Sequence, residues 1–123
     1  MNKKILIIDD EADIRFLLKR ALSSHNYTVS EAENLKKGLD VFNQTKPDIV
    51  VLDVNLPDGS GTYYARKFKN ENNIVIFISA DHDKLADSFR EAGADGFLKK
   101  PFIIDQLLEV ITRLHTNTTS TLN

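Results

Sequence analysis

Three unbroken aliphatic runs constrain this chain most: Ile5-Leu6-Ile7-Ile8, Ile49-Val50-Val51-Leu52 and Ile74-Val75-Ile76-Phe77-Ile78. Each is short, rich in β-branched residues and apolar at every position. Continuous rather than alternating apolarity predicts strands buried on both faces, the habit of a parallel sheet covered by helices. The intervening segments carry a helical period. Ile14, Leu17, Leu18, Ala21 and Leu22 form one apolar stripe at i, i+3, i+4, i+7 and i+8. Leu35, Leu39 and Phe42 repeat it more weakly, as do Tyr64, Ala65 and Phe68. Leu85 and Phe89 mark a fourth helix, and Ile104, Leu107, Leu108, Ile111 and Leu114 a fifth. Alternating strands and helices imply right-handed βαβ crossovers.

Two further segments read as strands of lower quality. Thr28-Val29-Ser30-Glu31-Ala32 mixes polar with apolar residues, and Gly96-Phe97-Leu98-Lys99 is short and ends in charge. Both suit sheet edges, where charge protects the open side. With the three continuous runs central, the pattern fits an α/β, flavodoxin-like, doubly wound sheet of five parallel strands. Its order is 2-1-3-4-5, with a switch point between strands 1 and 3.

Polar residues follow directly on four of these strands: Asp9-Asp10, Asp53, Ser79 and Lys100. In a parallel sheet all of them emerge at the carboxyl edge, where ligands bind in open α/β folds. Asp9-Asp10-Glu11 could serve as a helix N-terminal cap, since acids there complement the macrodipole. A third acid from strand 3 crowds more negative charge than a cap needs. Hard oxygen donors of this kind suit Mg²⁺, and the cap and cation readings are compatible. Asp53 is then a carboxylate nucleophile able to form an aspartyl phosphate. Lys100 and the Ser79 hydroxyl would each meet a phosphoryl oxygen.

Composition removes other classes. The chain has 123 residues, a single-domain length, with 16 basic and 18 acidic side chains for a net charge of −2. No basic stripe speaks for nucleic acid. There is no cysteine, hence no disulfide and no thiolate chemistry. The first apolar run is too short for a signal peptide or a membrane span, and a soluble cytoplasmic protein is expected. His25, His82 and His115 show no ligand spacing and read as surface residues. Pro57-Asp58-Gly59-Ser60-Gly61 suggests a flexible lip over the site, and residues 116–123 a polar tail or linker stub.

The residues now resemble a known family, the receiver domains of bacterial two-component response regulators. The resemblance covers roughly residues 3 to 115 and leaves a domain of 1–115. It rests on Ile7-Ile8-Asp9-Asp10-Glu11, on Val51 through Gly59, on Ile78-Ser79-Ala80, and on Gly93 through Phe102. It implies that Asp53 is the phosphoacceptor and that Asp9, Asp10, Asp53 and the Asn55 backbone carbonyl hold Mg²⁺, with Asp10 the direct ligand and Asp9 acting through water. It also makes Lys100, before Pro101, the family lysine, with a cis bond between them. Ser79 replaces a threonine and keeps the hydroxyl, and Phe97 stands at the switch-aromatic position. The implied function is a phosphorylation-controlled switch with slow phosphotransferase and autophosphatase activity. Its donor would be a sensor histidine kinase or a histidine phosphotransfer protein. Output would pass by protein contact through the face of the fourth helix, fifth strand and fifth helix, with Lys84, Arg90 and Lys99 at its rim. Gln106 and Val110 stand where winged-helix regulators carry a dimerising acid and arginine.

Two rivals read the acids differently. A phosphatase of the haloacid-dehalogenase type needs Asp-x-Asp, but Asn55 cannot act as a general acid. A flavodoxin-like flavin carrier needs hydrogen-bond donors after strand 1, where this chain places Asp9-Asp10-Glu11-Ala12-Asp13.

Overall fold

The structure, a computed structural model, describes residues 3–81 and 93–121. The aliphatic runs form the centre of a parallel sheet. Its strands are β1 (Lys4–Ile8), β2 (Thr28–Ala32), β3 (Ile49–Asp53), β6 (Ile74–Ser79) and β7 (Gly96–Lys99). Their spatial order is β2-β1-β3-β6-β7, which is 2-1-3-4-5 when only sheet strands are counted. Every pairing is parallel, with Ile5 opposite Ile49 and Ile49 opposite Ile74. All of β3 and β6 is buried, while β2 and β7 are partly open, as their mixed composition requires of edges.

Helices cover both faces. On one side α2 (Leu35–Thr45) and α3 (Gly61–Phe68) close over Leu6, Ile8, Val50, Leu52, Val75 and Phe77. On the other, α1 (Ala12–Ser23) and α4 (Ile104–Thr121) close over Ile5, Ile7, Val51, Ile76 and Ile78. Alternate residues of each strand feed opposite cores, which is why the runs are apolar throughout. Gly38 lets α2 approach β1 closely: a Cβ there would lie 2.7 Å from the Ile8 Cδ1.

Three features add to the sequence pattern. The α1 stripe is not wholly buried: Leu18 and Leu22 face the core, whereas Leu17 is 64% exposed. The stripe is wider than the surface the sheet offers, so its edge is left at the rim. The helix α4 continues to Thr121, through most of the segment expected as a tail. Once a helix is nucleated each added residue gains a backbone bond, so apolar periodicity is not needed to extend it. The lip after Asp53 is a hairpin, β4 (Asn55–Leu56) paired antiparallel with β5 (Gly59–Ser60). The helix marked by Leu85 and Phe89, together with His82, Lys84 and Arg90, lies outside the described residues. No helix among the described residues is long and apolar enough to cross a membrane.

Candidate functional site

The carboxyl ends of β1, β3, β6 and β7 converge as the strand register demands. Carboxylate oxygens of Asp9, Asp10, Glu11 and Asp53 all lie within 4.8 Å of one another. Asp9 is fully buried and Asp53 is 4% exposed, whereas Asp10 and Glu11 are open to solvent. Lys100, 8% exposed, enters this cluster from the end of β7. Its Nζ lies 2.8 Å from Asp53 Oδ2, 2.8 Å from Asp9 Oδ2 and 3.0 Å from Glu11 Oε1. The lysine thus answers several carboxylates at once, and the Lys100–Pro101 bond that carries it is cis.

Burial alone would lower the Lys100 pKa. Its hydrogen bonds to Asp53 and Glu11 and its ion pair with Asp9 outweigh burial and raise it, so the ammonium stays charged. Asp9 responds in the other sense. Burial raises its carboxyl pKa above 3.8, and the neighbouring Lys100 and the Glu11 N–H offset only part of that rise. Asp9 Oδ2 sits within ion-pair distance of Lys100, yet this oxygen accepts no hydrogen bond among the described residues. A buried carboxylate oxygen without a hydrogen bond, in a cluster whose candidate ligands are all hard carboxylate oxygens, fits a divalent cation.

The remaining contacts hold these groups in place. Asp53 Oδ1 accepts the Asn55 N–H at 2.8 Å, and Asp9 Oδ1 accepts the Glu11 N–H at 2.9 Å. The buried Ser79 hydroxyl accepts the Asp81 N–H at 3.0 Å and lies 3.4 Å from Asn55 Nδ2. Phe97, on β7, is 40% exposed. Asp9, Asp10, Asp53, Asn55, Ser79 and Lys100 are therefore gathered at one edge, while Phe97 stands apart on the fifth strand of the sheet. The acids do stand at the start of α1, but not through a capping bond from Glu11. Glu11 occupies the α1 N-cap but makes no side-chain capping bond, and its carboxylate turns to Lys100 instead. His25 bonds the Ala21 carbonyl at the end of α1, away from the cluster.

Two contacts of acidic residues around the site have no counterpart in the sequence pattern. Glu11 shares Lys100 across 89 positions of chain. Asp58, in the hairpin after Asp53, accepts the N–H groups of Leu35 at 2.9 Å and Lys36 at 3.1 Å. With Asn34 capping Lys37, the first three amides of α2 are all satisfied by side chains. The apolar stripe of Leu35, Leu39 and Phe42 marks the helix, but no local pattern around Asp58 points to it.

Comparison with known proteins agrees with this geometry. Residues 5–112 match the family model for the response regulator receiver domain. The chain belongs to that family, whose members act as phosphorylation-activated switches of two-component signalling. It is 38% identical over 123 residues to the KDP operon transcriptional regulatory protein KdpE of Escherichia coli, covering 94% of this chain and 54% of that one. It is 34% identical over 117 residues to sporulation initiation phosphotransferase F of Bacillus subtilis, covering 92% of this chain and 94% of that one. The chain spans about half the length of most of the curated relatives it matches. Among solved structures, a CheY-like receiver domain protein from Methanospirillum hungatei superposes with a TM-score of 0.87 at 26% identity. That match covers 98% of this chain and 99% of the other.

Proposed function

We propose that Asp53 accepts a phosphoryl group from a phosphohistidine donor, and that the aspartyl phosphate switches the surface around β7. The observation that carries this reading is the buried Asp53 carboxylate held between the Asn55 N–H and the Lys100 ammonium, at 2.8 Å from each. In the transfer, an Asp53 oxygen attacks phosphorus, a P–O bond forms and the P–N bond of the donor breaks. The imidazole nitrogen keeps the electron pair and takes a proton from water. Lys100 follows the charge from the Asp53 carboxylate to a phosphoryl oxygen, and the Ser79 hydroxyl donates to another. Asp9, Asp10, Asp53 and the Asn55 carbonyl would hold Mg²⁺, which neutralises charge on the phosphoryl oxygens. Attack by water on the same phosphorus releases phosphate and resets the switch.

Donor access is supported by an apolar groove of about 630 Å³ between α1 and the segment after β7. Ile14, Leu17, Leu18, Phe102 and Ile104 line it, and Glu11 and Lys100 stand at its end. An amphipathic helix of a histidine kinase or phosphotransfer protein laid there would bring its phosphohistidine to Asp53. Leu17 and Ile103, 64% and 63% exposed, are the anchors such a helix would cover.

The switch follows from Ser79 and Phe97. Once Ser79 turns to a phosphoryl oxygen, it leaves space beside β6, and the exposed Phe97 ring turns inward to fill it. Beryllofluoride with Mg²⁺ mimics the phosphoryl group. Amide shifts at Ser79, Phe97 and Lys99 on its addition are the expected result. Shifts confined to Asp9, Asp10 and Asp53 would leave a phosphate sink without a switch.

A further inference from the structure

We infer that Arg15 is a positioning residue for the acidic end of β1: its guanidinium clamps the Asp9 carbonyl and thereby sets the direction of the Asp10 carboxylate toward a bound cation. The inference rests on the cation reading of the acid cluster. Arg15 Nη1 donates to the Asp9 carbonyl at 2.6 Å, and Nε lies 3.4 Å from Glu31 Oε1 on β2. Its side chain is 14% exposed.

The Asp9 carbonyl lies one residue beyond β1. The Asp9 N–H is still in the sheet, bonded to the Ala32 carbonyl at 3.1 Å. The next peptide group must leave the sheet and turn into α1, and its oxygen is the one Arg15 holds. A peptide group is planar, so fixing that oxygen fixes the Asp9–Asp10 plane and the direction in which Asp10 leaves it. The Asp9 carboxylate has its own restraints, full burial and the bond from the Glu11 N–H. Asp10 is exposed, and the peptide plane before it is the restraint Arg15 supplies. Glu31 in turn orients the guanidinium, tying the turn to the neighbouring strand.

A structural role alone makes a different prediction. The Arg15–Glu31 pair is partly solvated and long, so it adds little stability. Charge alone also predicts the opposite sign for cation binding. A guanidinium beside the acids repels a divalent cation, so its removal would tighten binding. Positioning predicts that removal weakens it.

The test is Mg²⁺ titration followed by backbone amide shifts in wild type, Arg15→Gln and Arg15→Lys at fixed ionic strength. Acetyl phosphate labelling is measured across the same Mg²⁺ range. Arg15→Gln should weaken Mg²⁺ binding about tenfold, the lower end of what losing a ligand's orienting partner costs. The labelling rate should return to the wild-type value at saturating Mg²⁺. Arg15→Lys keeps the charge but cannot span both the carbonyl and Glu31, so an intermediate loss of about threefold is expected. If Arg15→Gln does not fold, Arg15→Lys alone decides. Unchanged or tighter Mg²⁺ binding in the folded variants overturns the inference while leaving the cation site intact. A wild-type protein without saturable shifts at Asp9, Asp10 and Asp53 overturns the cation reading itself, and this inference with it.

Discussion

Replacing Lys100 by methionine isolates the electrostatics of the site from its chemistry. The side chain keeps an unbranched apolar stem, one atom shorter, and loses its ammonium. Asp9 and Asp53, both buried, then lose the cation that stands 2.8 Å from each. At an effective dielectric of about 20, one such contact is worth about 6 kcal/mol before desolvation. Releasing the lysine from burial returns part of this, and removing one partner of a buried ion pair costs about 3–5 kcal/mol in practice. Glu11, being exposed, adds little. A net loss of about 3 kcal/mol near neutrality is expected, which a domain with the usual 5–15 kcal/mol survives. The loss should depend on pH in a defined sense. Burial already holds the Asp9 carboxyl above 3.8, and without Lys100 it rises further. A folded pKa above the unfolded value means that stability falls as pH rises through that window. The deficit of Lys100→Met should therefore be full at neutral pH and shrink on mild acidification. Urea denaturation followed by circular dichroism measures both. No loss at neutral pH, or an equal loss at both pH values, would refute the lysine as counter-ion to the buried acids.

Asp10→Asn should act oppositely. Asp10 is exposed, and the Lys100 ammonium contacts Asp9, Glu11 and Asp53, so the substitution relieves repulsion without breaking those contacts. The metal-free melting temperature should rise by about 2 °C, as roughly 0.5 kcal/mol gives for a domain of this size. Stabilisation by Mg²⁺ should disappear, which a thermal scan with and without the ion reads directly. Asp58→Ala strips the caps from Leu35 and Lys36 and should cost about 1 kcal/mol. Burial tends to raise the Asp58 carboxyl pKa, but the amide bonds from Leu35, Lys36 and its own N–H prevail and hold it below 3.8. A depressed folded pKa contributes stability above the unfolded value and loses it as pH falls through the folded one. The difference between wild type and Asp58→Ala in chemical denaturation should therefore narrow in acid.

The legible part of this protein is the part written in contiguous residues. Ile5-Leu6-Ile7-Ile8 and its two counterparts are buried on both faces, and with the mixed Thr28–Ala32 and Gly96–Lys99 as edges they yield the parallel sheet, its order and the edge where Asp9, Asp53, Ser79 and Lys100 meet. What stayed hidden depends on distance through space. Leu17 has the spacing of a core residue and lies on a groove, because periodicity gives a helix face and not the width of its contact. Glu11 turning to Lys100, Asp58 reaching the start of α2 and Arg15 reaching the carbonyl just after β1 each make contacts that no local pattern announces. The hairpin after Asp53 was hidden for the same reason, since its anchor lies on α2.

Covalent chemistry at Asp53 tests the account most directly. The protein is incubated with acetyl phosphate and Mg²⁺, and the modified site is mapped by mass spectrometry. One phosphoryl group on Asp53 is expected, labile to hydroxylamine as an acyl phosphate, dependent on Mg²⁺ and abolished by Asp53→Asn. A phosphoryl group that persists in Asp53→Asn, or that resists hydroxylamine as a serine or threonine ester would, contradicts the account.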